Sequence, residues 1–335
     1  MSARDVIILG TCTNKKCFPP SDSARFDSLP GVPVEELALL WLNRLEESEQ
    51  PRVPAKNLYV GSAWNETIAC VNSAQEIALS SSLWVLSAGW GLIPSSAKIT
   101  SYSATFAPGD DSIHNAQWPH GTNAKERNQA WWKALCSTRR TTSPRTIADF
   151  AQQYPDPDRV FLLVILSPAY FQAIEPELTE LVHRGYQVAI FSAGVYAESA
   201  GRPSLLKENI MPINDKFKQI DRYLDHTNVT LNARVANWTI QQYPDEIMKG
   251  TSSLYACLAE KEQSLPEIKR RPVVPMTDKE VLAFIDQRYV PDASSASQLL
   301  KILRHEEKKS CERKRFANLF KQYEDENKQN WSLDL

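Results

Sequence analysis

The sequence lacks the patterns that mark a secreted or membrane-bound chain. No stretch approaches the run of about 18 apolar residues that a membrane span requires. The first apolar run, Val6–Leu9, is too short for a signal peptide and leads directly into a turn. The six cysteines are widely spaced and form neither a disulfide framework nor a C-x-x-C zinc pattern. We therefore expect a soluble, cytoplasmic protein with reduced thiols.

The sequence also lacks an excess of charge of either sign. It contains 38 Lys and Arg against 40 Asp and Glu, for a net charge of −2. A nucleic-acid surface, if there is one, must therefore be a local patch. His114 and His120 have no third ligand at metal spacing, and no G-x-G-x-x-G motif follows the first apolar run. We predict neither a metal site nor another cofactor.

Short apolar runs separated by amphipathic segments indicate the fold class. The runs are Val6–Leu9, Leu83–Leu86, Val160–Leu166, Val188–Phe191 and, more weakly, Leu58–Val60. None alternates cleanly, which is typical of strands buried on both faces of a parallel sheet. Val34–Leu45 has helical spacing, and Asn65 is placed to cap another helix. The sequence predicts an α/β fold over residues 1–270, with a doubly wound, mostly parallel sheet flanked by helices.

Residues 271–335 form a different kind of segment. Thr277 and Glu280 predict a capping box, and Ser310 is placed to cap a later helix. Basic side chains crowd the last two predicted helices: Arg304, Lys308, Lys309, Arg313, Lys314 and Arg315. We predict a small helical module that binds DNA through phosphate contacts. The alternative is an ordinary solvated helical face.

Polar and small residues follow each predicted strand. Ligands of open parallel sheets bind beyond the carboxyl ends of the strands, where these residues should meet. The candidates for ligand contact are Thr11, Cys12, Thr13, Lys15, Ser87, Gly89, Trp90, Tyr102, Phe106, Ser167, Tyr170 and Ser192. Asn14 and Asp110 are the candidate catalytic groups, and Lys16 is a candidate contact to DNA phosphate.

Each of these candidates also has a structural interpretation. For Cys12 the alternative is a small buried thiol, and for Lys15 and Lys16 it is a solvated turn. The alternative for Gly89 is a tight turn, and for Tyr102 and Phe106 it is a place in the core. The alternative for Asp110 is an exposed turn. The sequence alone leaves these alternatives open.

Several of these motifs resemble a known family. LSAGWGLIP, at Leu86–Pro94, and ITSYSATF, at Ile99–Phe106, resemble the LSAKYGLL and PYD pattern of YaaA-like peroxide-stress domains. CTNKK, from Cys12 to Lys16, is similar to the polar opening of that group. Asn14 and Ser167-Pro168 occupy places comparable to active-site loops of the uracil-DNA-glycosylase-like superfamily. The resemblance covers residues 5–200, and Ser103 stands where the PYD pattern has its aspartate.

The resemblance implies a DNA N-glycosylase that flips a modified base out of double-stranded DNA and leaves an abasic site. One target that it implies is alpha-glucosyl-hydroxymethylcytosine in phage DNA, excised in antiviral defence. Asn14 would then position water, and an aromatic ring at Trp90, Tyr102 or Phe106 would stack on the extruded base. Two other functions stay open: a nucleoside-processing enzyme such as a deoxyribosyltransferase, and a non-enzymatic DNA-binding stress protein.

Overall fold

The computed structural model describes residues 4–78, 80–138, 146–199, 205–224, 227–268, 276–291, 293–307 and 309–331. The chain divides into two compact units, Met1–Glu267 and Ile268–Leu335. Each unit has its own hydrophobic core. No helix in the described ranges combines the length and the apolar character needed to cross a bilayer.

The first unit is built on a central sheet. The strands of this unit are β1 (Asp5–Thr11), β2 (Val53–Pro54), β3 (Ser81–Ser87), β4 (Gly91–Pro94), β5 (Lys98–Ile99), β6 (Val160–Ile165) and β7 (Gln187–Phe191). β2 and β5 form a separate short pair. Within the described chain the central sheet has five strands in the order β4-β3-β1-β6-β7. β1 pairs in parallel with β3 and β6, and β6 pairs in parallel with β7. Val6 to Leu9 are almost fully buried, as expected for a strand covered on both faces.

Helices cover both faces of this sheet. They are α1 (Val34–Glu47), α2 (Ala55–Leu58), α3 (Ser62–Gln75), α4 (Ala124–Ser137), α5 (Ile147–Gln153), α6 (Pro168–His183), α7 (Ala193–Ser199), α8 (Asn228–Gln242), α9 (Pro244–Lys249) and α10 (Thr251–Ser264). α3 packs against α8, whereas α4 packs against α1 and α6. The crossovers from β1 to β3 and from β6 to β7 run in opposite directions along the sheet. Right-handed crossovers therefore place α3 and α6 on opposite faces. The predicted α/β fold class is confirmed.

Two local predictions for the first unit were wrong, and one strand was missed. Leu58–Val60 is not a strand of the sheet, because Leu58 ends α2 and Tyr59 forms only an isolated bridge with Lys16. α3 begins at Ser62, so Asn65 lies inside the helix and does not cap it. β4, which pairs antiparallel with β3 across the turn after Ser87, was not among the predicted strands.

The second unit contains three helices in its described residues. They are α11 (Asp278–Arg288), α12 (Ala296–His305) and α13 (Arg313–Trp331). The capping box of Thr277 and Glu280 is confirmed. The prediction that Ser310 caps the last helix was wrong, because the Glu312 carboxylate accepts the backbone amides of Lys314 and Arg315 instead.

Candidate functional site

The strand order of the central sheet changes direction between β1 and β6. From β1 the chain moves to β3 on one side, and it later returns to β6 on the other side. In open α/β sheets, the loops that follow two such neighbouring strands leave in opposite directions, and the space between them is the expected crevice. Ligands of open α/β sheets bind at such a switch point.

A contact between Cys12 and Tyr170 spans this switch point. Cys12 directly follows β1, and Tyr170 lies in the first turn of α6, just after β6. The sulfur of Cys12 and the hydroxyl oxygen of Tyr170 share a hydrogen bond of 2.9 Å. Cys12 is half-buried and Tyr170 is buried, and burial raises the pKa of the Tyr170 phenol well above its usual value. Two predicted site residues from separate strands are thus brought together.

The loop after β1 is held in place by the segment before α3. The Thr13 hydroxyl donates to the carbonyls of Lys15, at 2.8 Å, and Val60, at 3.1 Å. The Cys17 amide donates to the carbonyl of Leu58 at 2.9 Å. These anchors leave the side chain of Asn14 exposed, like that of Lys15. A fixed loop with an exposed amide is suited to contacting a ligand in the crevice.

Lys16 turns inward from the β1 loop, towards the ring of Tyr102. Its ammonium lies 4.2 Å from the centre of the Tyr102 ring, and it donates to the carbonyls of Thr13 and Asn14 at 3.3 and 3.4 Å. The residue is half-buried, and burial lowers the pKa of its amine, whereas Cys12 and Asp111 raise that pKa. A surface contact to DNA phosphate does not fit this inward placement.

Tyr102 and Ser87 form a buried hydrogen-bond network. The Tyr102 hydroxyl lies 2.7 Å from Ser87 Oγ and 3.1 Å from the Tyr59 hydroxyl. Ser87 Oγ also accepts the backbone amides of Gly89 and Trp90. Tyr102 and Ser87 are both 0% exposed. The expected stacking of Tyr102 on a base is incompatible with this packing, because its ring already contacts protein groups.

The other aromatic and small candidates are buried in the core of the first unit. Phe106 is buried, and its ring packs edge-on against Tyr170 with centroids 4.9 Å apart. Trp90 is buried as well, so neither ring is placed to stack on an extruded base. A Cβ on Gly89 would lie 2.5 Å from the Tyr102 ring, which explains the glycine by packing. Ser192 is fully buried, and its hydroxyl faces the amide of Val195 at the start of α7.

Two candidate residues remain accessible at the strand ends. Ser167 is exposed, and its hydroxyl makes no capping bond at the start of α6. Thr11 is half-buried at the last position of β1. Thr11 ends β1 and Ser167 follows β6, and these two strands border the switch point.

The two adjacent aspartates have different environments. Asp110 is exposed, and its carbonyl, not its carboxylate, accepts a bond from Asn115. Asp111 is half-buried and accepts a 2.5 Å hydrogen bond from the Ser103 hydroxyl, with Arg25 3.6 Å away. Asp111 also interacts electrostatically with Lys16. The carboxylate near the β1 loop is therefore that of Asp111, which the sequence analysis did not select.

Tyr59 and Asn128 were also missed. Tyr59 is buried and joins the Tyr102 hydroxyl network. Asn128, on α4, is 1% exposed and donates to the carbonyl of Ala169 and to Gln172 on α6. Asn128 lies among the polar residues in the first half of α4, so the local sequence gives little signal that it is buried. Both contacts join residues more than 40 positions apart in the chain.

The basic residues of the second unit have unequal roles. Arg304 donates to the carbonyl of Cys311, and Arg315 forms an ion pair with Asp278 at 2.5 Å. These two stabilise the module itself. Besides Arg304, the exposed cations among the predicted residues are Lys309, Arg313 and Lys314. Lys308 lies outside the described residues.

No group of three His, Cys, Asp or Glu side chains in the described ranges is arranged to hold a metal ion. The features of the candidate site are the thiol–phenol contact, the half-buried Lys16, the Asp111 carboxylate and the exposed Asn14 on its anchored loop. Comparison with models of protein families, with curated proteins and with solved structures found no match to this chain.

Proposed function

We propose that this protein is a DNA N-glycosylase that excises a modified base, and that glucosylated hydroxymethylcytosine is the base to test first. The observation that carries the proposal is the 2.9 Å contact of Cys12 with Tyr170. It joins the loops of β1 and β6 at the switch point, beside the exposed Asn14. The motif resemblance of residues 5–200 to glycosylase-related domains supports the same reaction class.

The reaction breaks the bond between the base nitrogen and C1′ of the sugar. Positive charge builds on the sugar and negative charge on the departing base in the transition state. We assign Asn14 to the positioning of the attacking water, because an exposed amide both donates and accepts hydrogen bonds. We assign Asp111, in place of Asp110, to electrostatic stabilisation of the sugar cation.

Donors for the departing base come from the same edge of the sheet. Ser167 and Lys15 are exposed, and Thr11 is half-buried. Hydrogen-bond donors aimed at a developing anion stabilise it most where water is excluded. A base that carries a sugar would use further hydroxyl and amide contacts of this kind.

The second unit would supply affinity for the DNA backbone. Arg313 and Lys314 are exposed at the start of α13, and Lys309 precedes that helix. Exposed cations that are not committed to ion pairs release counterions when they contact phosphates. Such contacts add affinity without sequence preference. The target base would then be selected by the crevice of the first unit.

Alkali-labile strand cleavage tests this proposal. Duplexes with plain, hydroxymethylated or glucosylated cytosine are incubated with the protein and then heated in alkali, which breaks DNA at abasic sites. We expect cleavage in the modified duplex and its loss in Asn14→Ala, with DNA affinity retained. Lys98→Ala, an exposed substitution on β5, is the control. Equal cleavage by Asn14→Ala and the wild type would contradict the assignment of Asn14.

A further inference from the structure

Lys16 is a half-buried amine on the loop that follows β1. It forms no ion pair with a carboxylate of the described chain, and its only hydrogen bonds are the two long ones to the carbonyls of Thr13 and Asn14. Hydrogen bonds of 3.3 and 3.4 Å lie at the weak end of the range, so breaking them costs little. The loop that carries Lys16 also carries Cys12, which contacts Tyr170 across the switch point, and the exposed Asn14.

The surroundings of Lys16 favour a reactive amine. Burial lowers its pKa, which increases the fraction of the neutral, nucleophilic form. Cys12 and Asp111 oppose this shift, and the Tyr102 ring favours the ammonium. The Tyr102 ring, whose centre lies 4.2 Å from the nitrogen, holds the amine inward, so that only a sugar extruded into the crevice, and not the DNA backbone at the surface, would meet it.

We infer that Lys16 gives this site a second activity: it cleaves the abasic strand that the first reaction leaves, through a covalent imine. The inference rests on the proposed glycosylase function, because the abasic sugar is the product of that reaction. An abasic deoxyribose in its ring-opened form exposes an aldehyde at C1′. Aldehydes are the natural partners of a desolvated lysine amine.

The step balances without an oxidant or a metal. The Lys16 nitrogen adds to C1′, and loss of one water gives the protonated imine. A proton then leaves C2′, and the Asp111 carboxylate is the acceptor available in this cluster. The electron pair forms the C2′–C3′ double bond and expels the 3′ phosphate. Water hydrolyses the imine, which releases the unsaturated aldehyde and restores the Lys16 amine.

Trapping on a preformed abasic site separates this inference from the proposed function. The full chain is incubated with a duplex that already contains one abasic site, together with sodium cyanoborohydride, which reduces an imine to a stable amine. No base needs to be removed in this assay. We expect a covalent protein–DNA adduct, and peptide mapping by mass spectrometry should place it on Lys16.

Lys16→Arg is the decisive variant, because arginine keeps the charge and the stacking on Tyr102 but cannot form the imine. We expect the yield of adduct and the rate of strand cleavage to fall by about tenfold or more, because the nucleophile has been removed. Lys98→Ala, exposed and remote in sequence, should trap like the wild type. Circular dichroism of Lys16→Arg verifies that the variant is folded.

Two results would overturn the inference: no adduct with the wild-type protein, or an adduct that maps elsewhere and persists in Lys16→Arg. If the adduct on Lys16 forms while no modified base is ever released, the lyase inference stands and the glycosylase proposal fails. If modified base is released but no adduct forms, the glycosylase proposal stands and the lyase inference fails.

Discussion

The hydroxyl oxygen of Tyr170 lies 2.9 Å from the sulfur of Cys12, although 158 positions separate the two residues in the chain. This contact joins the end of β1 to the start of α6. It forms because β1 and β6 are parallel neighbours, so their carboxyl ends lie at the same edge of the sheet. The candidate site depends on this relationship.

Replacing Cys12 by Ala should lower activity about tenfold, because the Tyr170 hydroxyl loses the partner that orients it in the crevice. The cost in folding free energy should be near 1 kcal/mol, about that of one hydrogen bond. Base release and urea unfolding measure the two effects. Cys17→Ala, on the same loop but exposed, is the matched control and should change neither quantity. Equal losses in the two variants would assign the effect to the loop as a whole.

The Tyr102 network should contribute to stability more than to binding. Tyr102→Phe removes the hydroxyl that contacts Ser87 and Tyr59, and we expect a loss of about 1–3 kcal/mol in unfolding free energy. Gly89→Ala should cost about as much, because its Cβ would overlap the same ring. Urea denaturation measures both. A Tyr102→Phe variant as stable as the wild type would show that the network is not important for the fold.

Much of the fold follows from the sequence, since long apolar runs such as Val160–Leu166 are unambiguous. The short run Leu58–Val60 was misread because three apolar residues fit a helix end as well as a strand. Within the site, Asn14 and Lys16 lie on one loop, yet one is exposed and the other turns inward. The difference follows from the contact of Lys16 with the ring of Tyr102, which is far from it in the sequence. A single sequence does not reveal such a contact.

The adjacent aspartates should differ in function. Asp111→Asn removes a half-buried charge next to Ser103 and Arg25. We expect activity to fall by about tenfold or more, with a smaller effect on DNA affinity. Single-turnover kinetics measures the chemical step. Asp110→Asn is the matched comparison. If Asp110→Asn causes the larger loss of activity, the catalytic carboxylate is that of Asp110 and the assignment to Asp111 is wrong.

Glu177 provides a pH-dependent contribution to stability. Its carboxylate accepts bonds from the Trp132 indole and the Ile147 amide, both at 2.7 Å, and burial raises its pKa above the ordinary 4.5. The folded state therefore holds the proton at pH values where the unfolded state has released it. Its contribution is most favourable below the unfolded pKa and declines as pH rises through the raised one.

Urea unfolding of the wild type and of Glu177→Gln at a series of pH values tests this sign. Glutamine has a similar shape but does not titrate. The free energy of unfolding of the wild type, relative to the variant, should fall as pH rises through the raised pKa and then level off. A relative stability that rises with pH over the same range would mean that hydrogen bonding outweighs burial at Glu177.

The exposed cations of the second unit should determine the salt dependence of DNA binding. Arg313→Gln combined with Lys314→Gln should weaken binding to all duplexes and reduce the slope of log affinity against log salt by about 2. Fluorescence anisotropy at several salt concentrations measures the slope. Lys133→Gln, exposed on α4 of the first unit, is the control for a change of charge. An unchanged slope in the double variant would place the phosphate contacts elsewhere.

Direct detection of the released base tests the central claim most simply. The purified protein is incubated with duplexes that contain cytosine, hydroxymethylcytosine or glucosylated hydroxymethylcytosine, and the small-molecule fraction is analysed by mass spectrometry. We predict free modified base in amounts equal to the abasic sites formed, and none from plain DNA. DNA that is bound yet keeps every base would contradict the account.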